Sequence, residues 1–173
     1  MIGAVAPDTD AAVLEVGGGA SALVDGLLDR GYTDITVVDL SEGALAKVRE
    51  RLGSRASGVS FRQGDARALK LDRPVDVWHD RAVFHFLTAE EDRSAYLESL
   101  GATLRPGGHV LFATFALDGP EKCSNLPVQQ YSAETLGKTL GDSYRLVRSL
   151  ERTHVTPKDK EQRFTYAVFR REA

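Results

Sequence analysis

The chain has 173 residues, 42% of them hydrophobic and 27% charged, with a net charge of -3 at neutral pH. That is enough apolar material for one buried core, so a single domain over residues 1–173 is expected. The scattered Lys and Arg residues exclude an electrostatic footprint for DNA, RNA or an anionic membrane surface, and no apolar run is long enough to span a bilayer. Cys123 is the single cysteine, which excludes an intramolecular disulfide and suits a reducing, cytoplasmic setting. His79, His85, His109 and His154 share no paired metal-ligand spacing with it, so no metal is expected. Residues 1–16 lack the basic start and apolar core of a signal peptide.

Taken in chain order, Val13 to Val16 is a short apolar run ending in glycines, and Leu23, Leu27 and Leu28 then recur at helical spacing between Ala20 and Arg30. This predicts strand, glycine turn, helix. A β-branched run from Ile35 to Val38, closed by Asp39, predicts a second strand; Ser41 is placed to cap a helix carrying Leu45, Val48 and Leu52. Further strands are expected at Val59 to Arg62 and Val75 to Trp78, then a helix from about Thr88 through Leu104, stopped by "RPGG". His109 to Phe115 is a nearly continuous apolar run, as in a strand covered on both faces. The stretch "ALDGPEKCSNLPVQQY" is rich in Pro, Gly and Asn and is expected to be a functional loop, followed by a helix from about Ala133 to Leu140. Two alternating runs, "YRLVRSLERTHV" and "QRFTYAVFRR", flank "TPKDKE" as an antiparallel pair would. The whole predicts an α/β three-layer sandwich with about seven mostly parallel strands and ligands bound outside the strands' carboxyl ends.

Three polar positions fall at those ends. Gly17-Gly18-Gly19 offers a turn in which backbone can approach a ligand, and Gly17-x-Gly19-x-x-Ala22 also fits a dinucleotide fingerprint. Asp39, about twenty residues on, is placed to accept both hydroxyls of a ribose, or simply to neighbour the cap at Ser41. Neither separates NAD from S-adenosylmethionine. Glu15 does, because a carboxylate repels a pyrophosphate and attracts the ammonium of a methionine moiety. Asp65 in "QGDA" is placed to accept from an adenine amino group, with a solvated loop carboxylate as the plainer reading.

The set "LEVGGGAS", "VVDLS", "GDA", "VDVWHDRAVFHFL" and "LRPGGHVLFATF" resembles class I, Rossmann-like S-adenosylmethionine-dependent methyltransferases, of a small bacterial type, from Val13 to Phe115. The resemblance implies a seven-stranded sheet with an antiparallel C-terminal strand and S-adenosylmethionine as cofactor. It assigns Glu15, Gly17, Gly18 and Gly19 to the methionine end, Asp39 to the ribose, Leu40 to the adenine face, and Asp65 and Ala66 to the adenine edge. It also places "HDRAVFHFL" beside the methyl-transfer site, with His85 at a position often held by His, while Ser21 replaces a frequent third glycine and Phe86 a second histidine. The helical segment that such proteins often carry before the first strand would here be short or missing.

A sulfonium activates its own methyl group, so the protein's work is to position a nucleophile and, where needed, accept a proton. His79, Asp80 and His85 are the candidate bases, each with a packing reading beside it; Phe84, Cys123 and Tyr131 are the candidate substrate-lining residues, and Trp78 and Phe86 offer further π faces. The leading expectation is methyl transfer to a small molecule, a thiol, amine, hydroxyl or metalloid. Alternatives are a protein-lysine methyltransferase, an NAD-binding oxidoreductase, and a non-catalytic adenosine-binding module. The run "RLVRSLERTHV" could serve as an edge between copies, so the chain is expected to be a monomer or a homodimer.

Overall fold

A computed structural model describes residues 1–156 and 159–173. The chain runs through α1 (Ile2–Val5), β1 (Val13–Val16), α2 (Leu23–Asp29), β2 (Ile35–Asp39), α3 (Glu42–Leu52), β3 (Val59–Gln63), β4 (Val75–Arg81), α4 (Glu90–Thr103) and β5 (Leu104–Phe115). It continues through a small hairpin, β6 (Lys122–Cys123) and β7 (Leu126–Pro127), then α5 (Ala133–Leu140), β8 (Tyr144–Val155) and β9 (Glu161–Arg171). The main sheet has the order β3-β2-β1-β4-β5-β9-β8. Strands β1 to β5 pair in parallel, β9 runs antiparallel between β5 and β8, and the mostly parallel seven-stranded expectation holds. The turn expected at "TPKDKE" includes Pro157 and Lys158, which lie outside the described residues.

Alternation along each strand sorts the core into two layers. Leu14, Val16, Trp78, Val110, Phe112 and Phe169 face α4 and α5, where Tyr96, Leu100, Leu136 and Leu140 meet them. Val13, Val37, Val77, Leu111 and Val168 face the other way, against Ile2 of α1, Val24 and Leu27 of α2, and Leu45, Val48 and Leu52 of α3. Each such side chain, fully buried, contributes about 1.5–3 kcal/mol of transfer free energy, so a sheet apolar on both faces holds its helices by this term.

Local chemistry sets the element ends. Ser41 accepts the Ala44 N–H at 3.2 Å and starts α3; Ser132 and Thr135 cap each other reciprocally at the start of α5. The helix expected from Ala20 begins at Leu23 instead, because Gly18–Ala20 closes as a 3-10 turn and the Ser21 hydroxyl accepts the Leu23 N–H at 3.0 Å. Strand β5 starts at Leu104 rather than His109, since Leu104 pairs with Val75 ahead of an irregularity in the β4 register. Strand β4 runs past Trp78 to Arg81, which makes His79, Asp80 and Arg81 strand residues on alternating faces. The expected long loop contains the β6–β7 hairpin, turned by Ser124 and Asn125 in the left-handed region.

Candidate active site

The carboxyl ends of β1, β2 and β4, together with the turn after β3, enclose a cavity of about 600 Å³. Gly17, Asp39, Leu40, Asp65 and Ala66 all line it, so five of the eight expected cofactor residues share one wall. The rest of the lining includes Arg67, Val83, Phe86, Leu87, Asp92 and Tyr96, with Leu126 and Pro127 of the hairpin. That volume is in the range of small-ligand sites.

Gly17 follows β1 with φ +67°, and a Cβ there would meet Cγ2 of Val83 at 2.2 Å. Only glycine suits both the left-handed turn and the close approach of the loop after β4. Gly18 and Gly19 do not line the cavity. A Cβ on Gly19 would lie 2.5 Å from that of Ala44 and 2.8 Å from Oδ2 of Asp39, so these glycines let the loop settle on β2 and α3. Asp39 holds the loop in return: Oδ2 accepts the Gly19 N–H at 2.9 Å and Oδ1 accepts the Ser41 N–H at 2.8 Å. Each oxygen keeps a second lone pair, which is the acceptor pair a ribose diol needs. Beside it Leu40 is 67% exposed, a large apolar surface left uncovered at the mouth.

Asp65 differs from the free acceptor expected of it. Its Oδ1 caps the following 3-10 turn by accepting the Arg67 N–H at 2.9 Å, and the Arg67 guanidinium binds both oxygens, with Nη2 2.6 Å from Oδ2. Arg67 also reaches Asp92 of α4. The side-chain bond from Arg67 holds the Asp65 carboxyl below its ordinary range, so an adenine amino group would share an acceptor already in use. Arg67 was not legible as a site residue; its signal is its place two residues past an acid on a tight turn.

The three candidate bases are not brought together, and none lines this cavity. Asp80 is fully buried: its carboxylate accepts from the backbone N–H groups of Val83 at 2.9 Å and Phe84 at 3.1 Å, and from the Tyr96 hydroxyl at 2.5 Å. The Tyr96 oxygen accepts the Trp78 indole N–H at 2.7 Å. Burial pushes the Asp80 carboxyl up to about 6, opposed by those donors. It anchors the left-handed turn at Ala82 (φ 65°) that aims Val83 to Phe86 over the cavity, which corrects its reading as a base. His85 is buried with neither ring nitrogen partnered, packed 4.6 Å from Phe86 and 4.8 Å from Phe115 between ring centroids, and burial pushes it down to about 4. His79 lies on the opposite sheet face, against α2.

The expected substrate-lining residues are likewise set back. Phe84 is core, packed on Tyr96, Phe112 and Tyr131, and Trp78 lies beneath it. Tyr131 is buried with its hydroxyl unpartnered, and Cys123 packs in a cluster with Phe115 and Phe164. Phe86, Leu126 and Pro127 occupy the mouth instead. No group of three or more metal-ligating side chains occurs, and no helix is long and apolar enough to cross a membrane, among the described residues.

Glu15 lies outside this lining, at β1 beside the glycine loop, where a Cβ on Gly18 would meet its side chain at 3.0 Å. It is 2% exposed, its Oε2 has no partner among the described residues, and burial pushes its carboxyl up to about 7 against the pull of the Ser21 hydroxyl and the Arg51 and Arg81 charges. A raised carboxyl pKa means the group holds its proton below pH 7 and gains charge above it. A ligand ammonium requires the charged form. S-Adenosylhomocysteine affinity is therefore expected to fall as pH drops from 8 to 6, approaching tenfold per unit on the acid side, while Glu15→Gln binds more weakly with a flat profile. Calorimetry across that range checks the slope; a flat wild-type profile removes Glu15 from the site.

A Rossmann-like sheet with a reversed strand inserted before its edge, a glycine turn after β1 and a carboxylate ending β2 define the S-adenosylmethionine-dependent methyltransferase fold. The chain belongs to the methyltransferase domain family, whose profile matches residues 13–108. It is 32% identical over 111 residues to the eEF1A lysine and N-terminal methyltransferase of Mus musculus, covering 60% of this chain and 16% of that protein. Over 150 residues it is 25% identical to malonyl-[acyl-carrier protein] O-methyltransferase 2 of Ilyobacter polytropus, covering 80% of this chain and 56% of the relative. Among solved structures it shares the fold of the Burkholderia thailandensis 1,6-didemethyltoxoflavin-N1-methyltransferase with bound 1,6-didemethyltoxoflavin and S-adenosylhomocysteine. That match has a TM-score of 0.73 and 24% identity, covering 94% of this chain and 72% of the other. The cofactor is accordingly S-adenosylmethionine, and the site suits it in three respects: the free lone pairs of Asp39, the bare face of Leu40 and the unpartnered Oε2 of Glu15. The dinucleotide alternative falls with the family assignment.

Proposed function

We propose that the chain transfers a methyl group from S-adenosylmethionine to a small-molecule acceptor. The observation that carries this reading is the main cavity of about 600 Å³, in which Phe86, Leu87, Leu126 and Pro127 share the lining with the expected cofactor residues. An acceptor admitted there must be compact and partly apolar.

S-Adenosylmethionine, when bound, supplies an electrophilic methyl group on its sulfonium. The chain's own residues do the rest. Asp39 accepts the ribose hydroxyls, Leu40 packs on the adenine, and the Gly17 turn brings backbone close to the methionine end. The Phe84–Phe86 turn, held by Asp80, sets the apolar wall from which water is excluded. None of His79, Asp80 and His85 lines the cavity, so an acceptor already deprotonated at working pH, or one that loses its proton after transfer, suits the site.

A second reading has a protein lysine as acceptor, and the identity with the mouse eEF1A methyltransferase favours it. Incubating the chain with S-adenosylmethionine and, separately, thiols, amines, phenols and a lysine-containing peptide separates the two by S-adenosylhomocysteine release. Turnover with a small acceptor is expected. Turnover with the peptide alone replaces it by the second reading, and binding without any transfer leaves an adenosine-binding module.

A further inference from the structure

Strand β8 is the last in the sheet order and leaves one edge unpaired along its 12 residues. Cross-strand register gives its two faces different charge. Arg145 lies opposite Arg170, Arg148 opposite Val168, Leu150 opposite Tyr166 and Arg152 opposite Phe164, so these β8 side chains share the sheet face on which Val168 packs toward α2. A bulge makes this possible: the register shifts between Leu146 and Arg148, and without the extra residue Arg145 would fall on the opposite face from Arg148 and Arg152. The acids of the two strands, Glu151 and Glu161, lie opposite Thr165 and Val155 on the other face, with Ala167 and Phe169.

Arg145, Arg148, Arg152 and Arg170 are all exposed there. Of these, only Arg145 has a carboxylate partner among the described residues, Glu172 at 2.9 Å. Their field reaches His109, directly opposite Arg170, whose pKa is lowered by burial first and then by Arg170, Arg105 and Arg145. Along β8 the order Arg148, Leu150, Arg152 is cation, apolar, cation at every second residue, with about 13 Å between the two arginine positions. An incoming strand sets its side chains directly opposite these on the same face, so the complement is acid, apolar, acid at the same alternate spacing. A second copy of this chain does not supply it. Two β8 strands joined about a two-fold axis with Leu150 opposite Leu150 set Arg148 against Arg152 at both ends, and like charges directly opposite destabilise a pair. Arginines and a bulge thus discourage this edge from pairing with itself, while the same arginines attract an acidic strand.

We propose that the free edge of β8 docks an extended acidic segment of another protein, which adds to the sheet as a further strand with carboxylates opposite Arg148 and Arg152 and an apolar residue opposite Leu150. Main-chain hydrogen bonds along the open edge supply affinity, and the two arginines select for acid. The surface is separate from the cofactor cavity: β5 and β9 stand between β4 and β8, and no residue of β8 lines that cavity. Docking there is independent of methyl transfer.

Fluorescence anisotropy at low salt tests this, with the whole chain and a short labelled peptide whose core, Glu-Thr-Val-Thr-Glu, reads the same in either strand direction. Binding is expected to weaken roughly tenfold when both Glu of the peptide become Gln, as for two exposed ion pairs, and similarly in the double variant Arg148→Glu, Arg152→Glu. A peptide with Lys in place of both Glu should then prefer the variant to the wild type. An unchanged Tm shows that the variant is folded, and slowed amide exchange along β8 in the complex is the mark of strand addition. The docking site is overturned by no binding of the acidic peptide, by equal binding of its Gln form or of a scrambled Glu-Glu-Val-Thr-Thr core, or by a variant that binds as the wild type does. A single-stranded oligonucleotide that binds more tightly than the peptide, and is lost in the variant, also overturns it and assigns the arginines to a phosphate backbone. A concentration-dependent dimer that excludes the peptide overturns it in favour of a second copy.

Discussion

Asp39→Ala is expected to weaken S-adenosylhomocysteine binding about a hundredfold. Two hydrogen bonds from ribose hydroxyls to a carboxylate are lost, each worth roughly 1.5–3 kcal/mol, and the smaller sum already accounts for that factor. The loop is loosened too, because Gly19 and Ser41 both donate their N–H groups to the same carboxylate. Asp39→Asn keeps one of the two loop acceptors and turns an NH2 donor toward the other N–H, so it is expected to weaken both the ribose bonds and the loop. Calorimetry on both variants decides the matter; an Asp39→Ala affinity within threefold of wild type would place the ribose elsewhere.

Asp80→Ala is expected to cost about 3–5 kcal/mol of stability, leaving the buried donors of Val83, Phe84 and Tyr96 without an acceptor, together with the space once filled by the carboxylate. For a chain of this length that lowers Tm by roughly 10 °C. Thermal unfolding followed by circular dichroism measures it. A loss below 1 kcal/mol would show that the Trp78–Tyr96–Asp80 chain does not hold the β4 turn. Tyr96→Phe should cost less, about 1–3 kcal/mol, since the Trp78 indole alone then lacks its acceptor.

These expectations divide the site into parts that were legible in the sequence and parts that were not. The glycine turn and Asp39 lie at strand ends that hydrophobic runs predict well, so their place at the cavity follows from order along the chain. The β4 segment was different. "HDR" has the polarity of a strand end, yet pairing of Asp80 with both Val16 and Phe112 continues the strand through it. That continuation turns a three-residue cluster into side chains on opposite faces, and separates His79 from Asp80 by the thickness of the sheet. The hairpin residues Leu126 and Pro127 were hidden for a related reason: in "ALDGPEKCSNLPVQQY" nothing local says which apolar residue covers the mouth and which, like Cys123, packs inward.

By itself, the sequence determined the alternation of strands and helices, the cap at Ser41, the antiparallel final pair and the order of Gly17, Asp39 and Asp65 at the ends of successive strands. All of these depend on periodicity or on residues close in the chain. Only the tertiary structure decided what the polar side chains do: Arg67 occupies Asp65, Tyr96 and Trp78 bind Asp80, and Glu15 meets His79 across two strands. Protonation and hydrogen bonding depend on burial and on partners distant in the chain. Those partners become neighbours only when the sheet forms.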